Sequence, residues 1–198
     1  MQVRRAAARW QGGWWSAAQR AESPNRGQRP SGERPSLVVL HSISLPAGRY
    51  GGRAVERLFL NTLPIDRHRS FEALRGLRVS AHFFVRRDGA VVQFVDCDQR
   101  AWHAGVSSWR GRDNCNDWSV GIEIEGLEGL PFTATQYRTL GRLLRALQQR
   151  YPIRDVLGHE HVAPGRKRDP GAAFDWARLR RRICGHDARV WPIADVDT

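Results

Sequence analysis

The most constraining stretch of this 198-residue chain is residues 133–152. Thr133 and Gln136 have the spacing of a capping box, in which each side chain bonds the other's backbone N–H. Tyr137, Leu140, Leu143, Leu144, Leu147 and Tyr151 then recur on one helical face, and Pro152 ends the run. The apolar runs around this helix are short and strand-like. Residues 36–44 (SLVVLHSIS) form a β-branched run that passes into a polar loop. Residues 79–95 carry Asp88-Gly89 between two such runs, a hairpin signal. Residues 119–125 (SVGIEIE) alternate, and 155–158 (DVLG) make a shorter strand. Ala54–Asn61, with Val55, Leu58 and Phe59 on one side, and Asp175–Cys184 add two helices.

The order is strand, helix, hairpin, strand, helix, strand, helix, without an internal repeat. It predicts a single α/β domain over residues 35–183, a central mixed β-sheet flanked by helices. Residues 1–34 are rich in Arg, Gly, Pro and Ser and carry Trp10, Trp14 and Trp15. They read as an irregular arm whose tryptophans can pack back onto the domain. Residues 184–198 read as a C-terminal tail.

Composition narrows the function classes. No apolar run approaches the roughly 20 residues of a membrane span, so no membrane partner is expected. Arg4 and Arg5 are followed by no apolar h-region, which predicts a cytoplasmic location. Cys97, Cys115 and Cys184 have no metal or redox spacing and read as free thiols. The net charge of +12 points to an anionic partner. The basic residues are scattered, however, with no zinc-finger, helix-turn-helix or RNA-recognition signature, so no nucleic-acid partner is expected. Lys167 is the only lysine among 32 basic residues. Arg-rich coding bias accounts for the arginines, whereas the lysine offers a compact, mobile point charge that arginine does not reproduce.

His41 ends the first strand, where ligands commonly sit at the edge of an α/β sheet. In GHEHVAPGRKRDPG (158–171) a turn containing Pro164 and Gly165 brings Lys167 and Asp169 back toward a histidine. Two histidines and a carboxylate leave one position of a tetrahedral zinc open, as in catalytic sites. By spacing alone, a solvated polar loop fits as well. Glu123 and Glu125 alternate with Ile122 and Ile124, so both carboxylates lie on one strand face. Either a solvent-facing edge or a general base facing a metal is compatible with that pattern.

Four dense segments occur in order: LHSISLPAGRYGG (40–52), GLRVSAHFFVRRDGAVVQFV (76–95), RAWHAGVSSWRGRDNCNDWSVGIEIEG (100–126) and GHEHVAPGRKRDPGAAFDWARLR (158–180). Together they resemble the AmpD-type 1,6-anhydro-N-acetylmuramyl-L-alanine amidases, over about Pro35 to Arg180. The resemblance implies one Zn2+ at one end of the sheet, held by His41, His159 and Asp169, with His161 a competitor for the second place. It implies Glu123 as proton acceptor and Lys167 as transition-state stabiliser, with Arg78 and Trp102 contacting sugar or peptide. His82 and His103 read as supporting residues. The implied substrate is a muropeptide, cleaved between N-acetylmuramic acid and L-alanine by a monomer. Two positions depart from the family pattern. His68-Arg69-Ser70 lacks the aromatic found near the His-Pro segment, and Asn114 stands where relatives tend to have arginine. Arg112 is the candidate to replace that arginine's contact with a peptide carboxylate.

Overall fold

The structure, a computed structural model, describes residues 9–184. Four short strands come first: β1 (Trp10–Gln11), β2 (Trp14–Trp15), β3 (Gln19–Arg20) and β4 (Arg26–Gln28). Strand β5 (Leu37–Ile43) precedes helix α1 (Ala54–Phe59). Next are β6 (Phe83–Val85), β7 (Val91–Gln93), β8 (Gln99–Ala101), β9 (Ser108–Trp109), β10 (Arg112–Asp113) and β11 (Ser119–Glu125). The chain closes with α2 (Ala134–Arg150), β12 (Asp155–Gly158), α3 (His159–Val162) and α4 (Trp176–Cys184).

Six strands form one sheet in the order β12-β5-β11-β6-β7-β3. The first four run parallel, β7 returns antiparallel to β6, and β3 lies parallel to β7. The sheet is therefore mixed, as the order of elements predicts. Its pleat sorts side chains between two faces. Val38, Leu40, Val120, Ile122 and Ile124 pack under Leu140, Leu143, Leu144 and Leu147 of α2, joined by Leu179 and Ile183 of α4. Leu37, Val39 and Leu157 pack against Ala104, Cys115 and Trp118 on the other side. Phe84 and Val92 meet Val55, Leu58 and Phe59 of α1 there as well. One face is thus sealed by the two long helices, and the other is covered by α1 and irregular segments. The second face carries the site.

The local signals act as the sequence predicts. Thr133 and Gln136 form the capping box of α2, an N-cap interaction worth about 1 kcal/mol. Gly89 turns the β6–β7 hairpin with φ +87°, and a Cβ there would lie 2.5 Å from Thr135 Cγ2. Only glycine meets both demands.

The N-terminal arm differs from the irregular segment that its composition predicts, because residues 10–28 form strands. β3 extends the main sheet at one edge, and β4 pairs antiparallel with β8. Trp15 is buried, its ring edge-on to Phe83 at 6.5 Å, and its backbone N–H donates to Gln93 Oε1 at 2.8 Å. Strands of two or three residues are too short to show periodicity, and long-range contacts hold them. Of the predicted tail, 184–198, only Cys184 falls within the described residues. Cys97 and Cys115 are free and buried. Among the described residues no helix is long and apolar enough to cross a membrane.

Candidate metal centre and its cleft

His41 shares the pleat parity of Leu37 and Val39, so it faces away from α2. β11 runs parallel to β5 with Glu123 in register with His41, which places the two side chains next to each other. His159 follows directly on β12 and opens α3. The segment read as a loop from its composition is therefore helical over His159–Val162. Gly158 allows the return of the chain, since a Cβ there would lie 2.7 Å from Pro170 Cδ. The Glu160 N–H donates to Asp169 O at 3.0 Å, fixing the returning segment against α3.

These placements bring His41, His159 and Asp169 together, all three buried. His41 Nδ1 lies 3.0 Å from His159 Nδ1 and 3.1 Å from Asp169 Oδ2, and His159 Nδ1 lies 3.2 Å from the same oxygen. The three atoms make a nearly equilateral triangle. Tetrahedral zinc at about 2.0–2.1 Å from its ligands would separate them by about 3.3–3.4 Å. His159 Nε2 lies 3.0 Å from Ala104 O, a carbonyl that only accepts, so the proton sits on Nε2 and Nδ1 turns a lone pair inward. At most one proton, on His41, is then available for three converging acceptors. The donor set fits a cation. Burial lowers the His41 imidazole to about 4, against the opposing pull of Asp169, and keeps it in the neutral, ligating form.

Glu123 completes the site. The residue is half-buried, and its Oε2 is shielded from solvent and has no hydrogen-bond partner. Burial, reinforced by the charge of Asp169, holds it well above the usual carboxylate range, while Lys167 pulls the other way. Glu125, two residues on, has a different role. It accepts from the Gly51 N–H at 2.5 Å and from the Arg87 N–H at 3.0 Å, tying two loops to the strand. Lys167 is exposed and makes no ion pair among the described residues, yet its charge is felt by both His41 and Glu123. These groups line one cavity of about 510 Å³ whose opposite wall is apolar, with Leu45, Leu58, Phe59, Leu74, Leu77 and Val79.

Other residues singled out from the sequence lie elsewhere. His161 is outside the cluster, its Nδ1 accepting from the Gly158 N–H at 2.8 Å. Arg78 is exposed, and its neighbours Leu77 and Val79 line the cavity while it does not. Trp102 is half-buried; its carbonyl accepts from the Ser80 N–H and its backbone N–H donates to Ser80 Oγ. Arg112 bonds Glu33 at 2.9 Å and lies over Trp118 at 4.4 Å, so it does not enter the cleft. Asn114 has φ +52°, a left-handed conformation that asparagine tolerates well. Sequence reasoning missed the parts played by Ala104, Asn116 and Ser119. Their contacts run through backbone atoms, the shared Asn116 Oδ1 and the Ser119 hydroxyl, which leave no spacing signature.

A mixed sheet presenting two histidines, an aspartate and a glutamate to one cavity defines a site able to hold a cation beside a further carboxylate. Residues 31–172 match the profile of the N-acetylmuramoyl-L-alanine amidase family. The 1,6-anhydro-N-acetylmuramyl-L-alanine amidase AmpD of Citrobacter freundii is 50% identical over 173 residues, covering 86% of this chain and 92% of that one. A crystal structure of a Se-Met AmpD derivative superposes with a TM-score of 0.85 at 48% identity, covering 87% and 98%. The amidase AmiD of E. coli, solved with the substrate anhydro-N-acetylmuramic acid-L-Ala-D-gamma-Glu-L-Lys, gives 0.55 at 28% identity, covering 78% and 60%. This chain belongs to the N-acetylmuramoyl-L-alanine amidase family.

Proposed function

We propose that this protein is a zinc-dependent amidase of cell-wall recycling, acting as a cytoplasmic monomer. Its reaction is hydrolysis of the amide between (1,6-anhydro-)N-acetylmuramic acid and L-alanine in muropeptides. The observation that carries this reading is the His41–His159–Asp169 triangle with Glu123 in register beside it. It occurs in a chain half identical to a relative named for that reaction.

Zinc held by His41, His159 and Asp169 would polarise the scissile carbonyl and acidify water. Glu123 accepts a proton at its unpartnered Oε2 and returns it to the leaving alanine nitrogen. Lys167 brings its ammonium to the oxyanion that develops on the carbonyl. Arg78 and Trp102 are proposed to contact the sugar or the peptide from the rim.

Turnover of a defined soluble anhydro-muropeptide, compared with release from intact sacculi, tests the substrate class. Cleavage of the soluble compound with little action on sacculi is expected. Preferential attack on sacculi would replace this reading with that of a lytic amidase, and no cleavage of either with that of a binding module.

The lone lysine gives a second expectation. Lys167→Arg keeps the charge but replaces a compact donor with a planar fork. It should lower kcat by a sizeable part of the roughly 100-fold that loss of an oxyanion donor costs, with zinc content and substrate affinity little changed. Near-normal kcat in steady-state kinetics would remove Lys167 from the catalytic set.

A further inference from the structure

Both histidines of the triangle are held at their far nitrogens by two consecutive residues. His41 Nε2 lies 2.9 Å from His103 Nδ1, and His159 Nε2 lies 3.0 Å from Ala104 O. The His103–Ala104 pair in turn hangs from one oxygen. Asn116 Oδ1 accepts from the His103 N–H at 3.0 Å and from the Ala104 N–H at 2.8 Å. The far side of the His103 ring reaches Ser119 Oγ, 3.1 Å from Nε2. The ring lies flat over β11 where Gly121 leaves room, since a Cβ at that position would sit 2.4 Å from His103 Cγ. Behind this layer the half-buried Arg29 donates from its guanidinium to the carbonyls of Asn116, Asp117 and Ser119. It fixes both the turn that carries Asn116 and the strand start that carries Ser119.

Loss of orientation at either imidazole would disperse the triangle. A neutral imidazole can carry its proton on either nitrogen, and only the Nε2–H form of each histidine offers Nδ1 to a cation. For His159 the carbonyl of Ala104 decides the matter. For His41 the decision passes to His103, whose Nδ1 faces it at 2.9 Å.

We propose that Asn116 and His103 are positioning residues for the metal centre: Asn116 suspends the His103–Ala104 pair, and His103 accepts from His41 Nε2–H while donating from its own Nε2 to Ser119 Oγ. The two histidine ligands are thereby presented to the cation by a single two-residue segment. The assignment rests on reading His41, His159 and Asp169 as zinc ligands.

The test uses the full-length chain at a pH where the imidazoles are neutral. Zinc affinity is read by competition with a chelator. Tautomers are read from long-range 1H–15N imidazole correlations in the zinc-free chain. The wild type should show Nε2–H at His41, His103 and His159. His103→Phe keeps a ring in the slot over Gly121 but removes the acceptor. It should weaken zinc binding about 10- to 100-fold, as loss of a ligand's outer partner does. In that variant His41 should become a tautomer mixture while His159 stays Nε2–H, a selectivity that general loosening of the fold would not produce. His103→Gln, which restores an acceptor, should recover most of the affinity. Asn116→Leu should weaken zinc binding by a similar factor and disturb both histidines, whereas Asn116→Asp, which keeps the oxygen, should not.

Unchanged zinc affinity in both His103→Phe and Asn116→Leu would overturn the proposal. So would Nδ1–H at His103 in the wild type, a measurement that holds even if the variants do not fold. A wild-type chain that binds no zinc would instead remove the zinc reading itself, and the proposal with it.

Discussion

Glu123→Gln is expected to keep the fold and the metal but lose turnover on the order of 100-fold or more, the scale of a lost general base. The substitution is nearly isosteric, and Glu123 Oε2 has no hydrogen bond to lose. The change therefore falls on proton transfer rather than on packing. Glu125→Gln provides the contrast. Its two carboxylate oxygens each accept a backbone N–H, from Gly51 and Arg87, and an amide can satisfy only one of them. The cost there should appear as lost stability of about 1–3 kcal/mol, with kcat much less affected. Thermal melts and steady-state kinetics on the same two variants separate the outcomes. If Glu125→Gln loses the turnover and Glu123→Gln keeps it, the roles of the pair are reversed.

The second large effect is expected at His41. Wild-type protein after mild dialysis should contain about one equivalent of zinc by elemental analysis. His41→Ala removes one corner of the 3.0–3.2 Å triangle and leaves two donors, His159 and Asp169. It should lose the metal and fall to background activity together. Burial keeps the wild-type imidazole neutral and ready to ligate, so nothing else at this corner has to be displaced. Full activity in a metal-free protein would refute the whole mechanism.

The elements with strong local signals were readable in advance. The capping box at Thr133 and Gln136, the apolar stripe of α2, the Asp88-Gly89 turn and the alternation of residues 119–125 are each decided by neighbours a few positions apart. Their order was enough for a mixed sheet flanked by helices. The clustering of His41, His159 and Asp169 was readable only through the family resemblance, because spacing alone left a solvated loop equally open. The choice of His159 over His161 became physical only in the structure, where His161 turns back to accept from Gly158.

What the sequence determined by itself is thus the main strands and helices and the chemistry on offer, since periodicity, capping and residue type are local properties. Tertiary structure decided the rest. The parallel register of β5 and β11 set Glu123, and not Glu125, beside His41. The short strands of the N-terminal arm exist because Trp15 and Gln93 meet across 78 residues. Asn116 came to hold His103 and Ala104, and through them both histidines, by contacts between segments that no local pattern connects. Pairing across the sheet costs chain entropy that only the assembled core repays, so these partners are fixed by the fold as a whole.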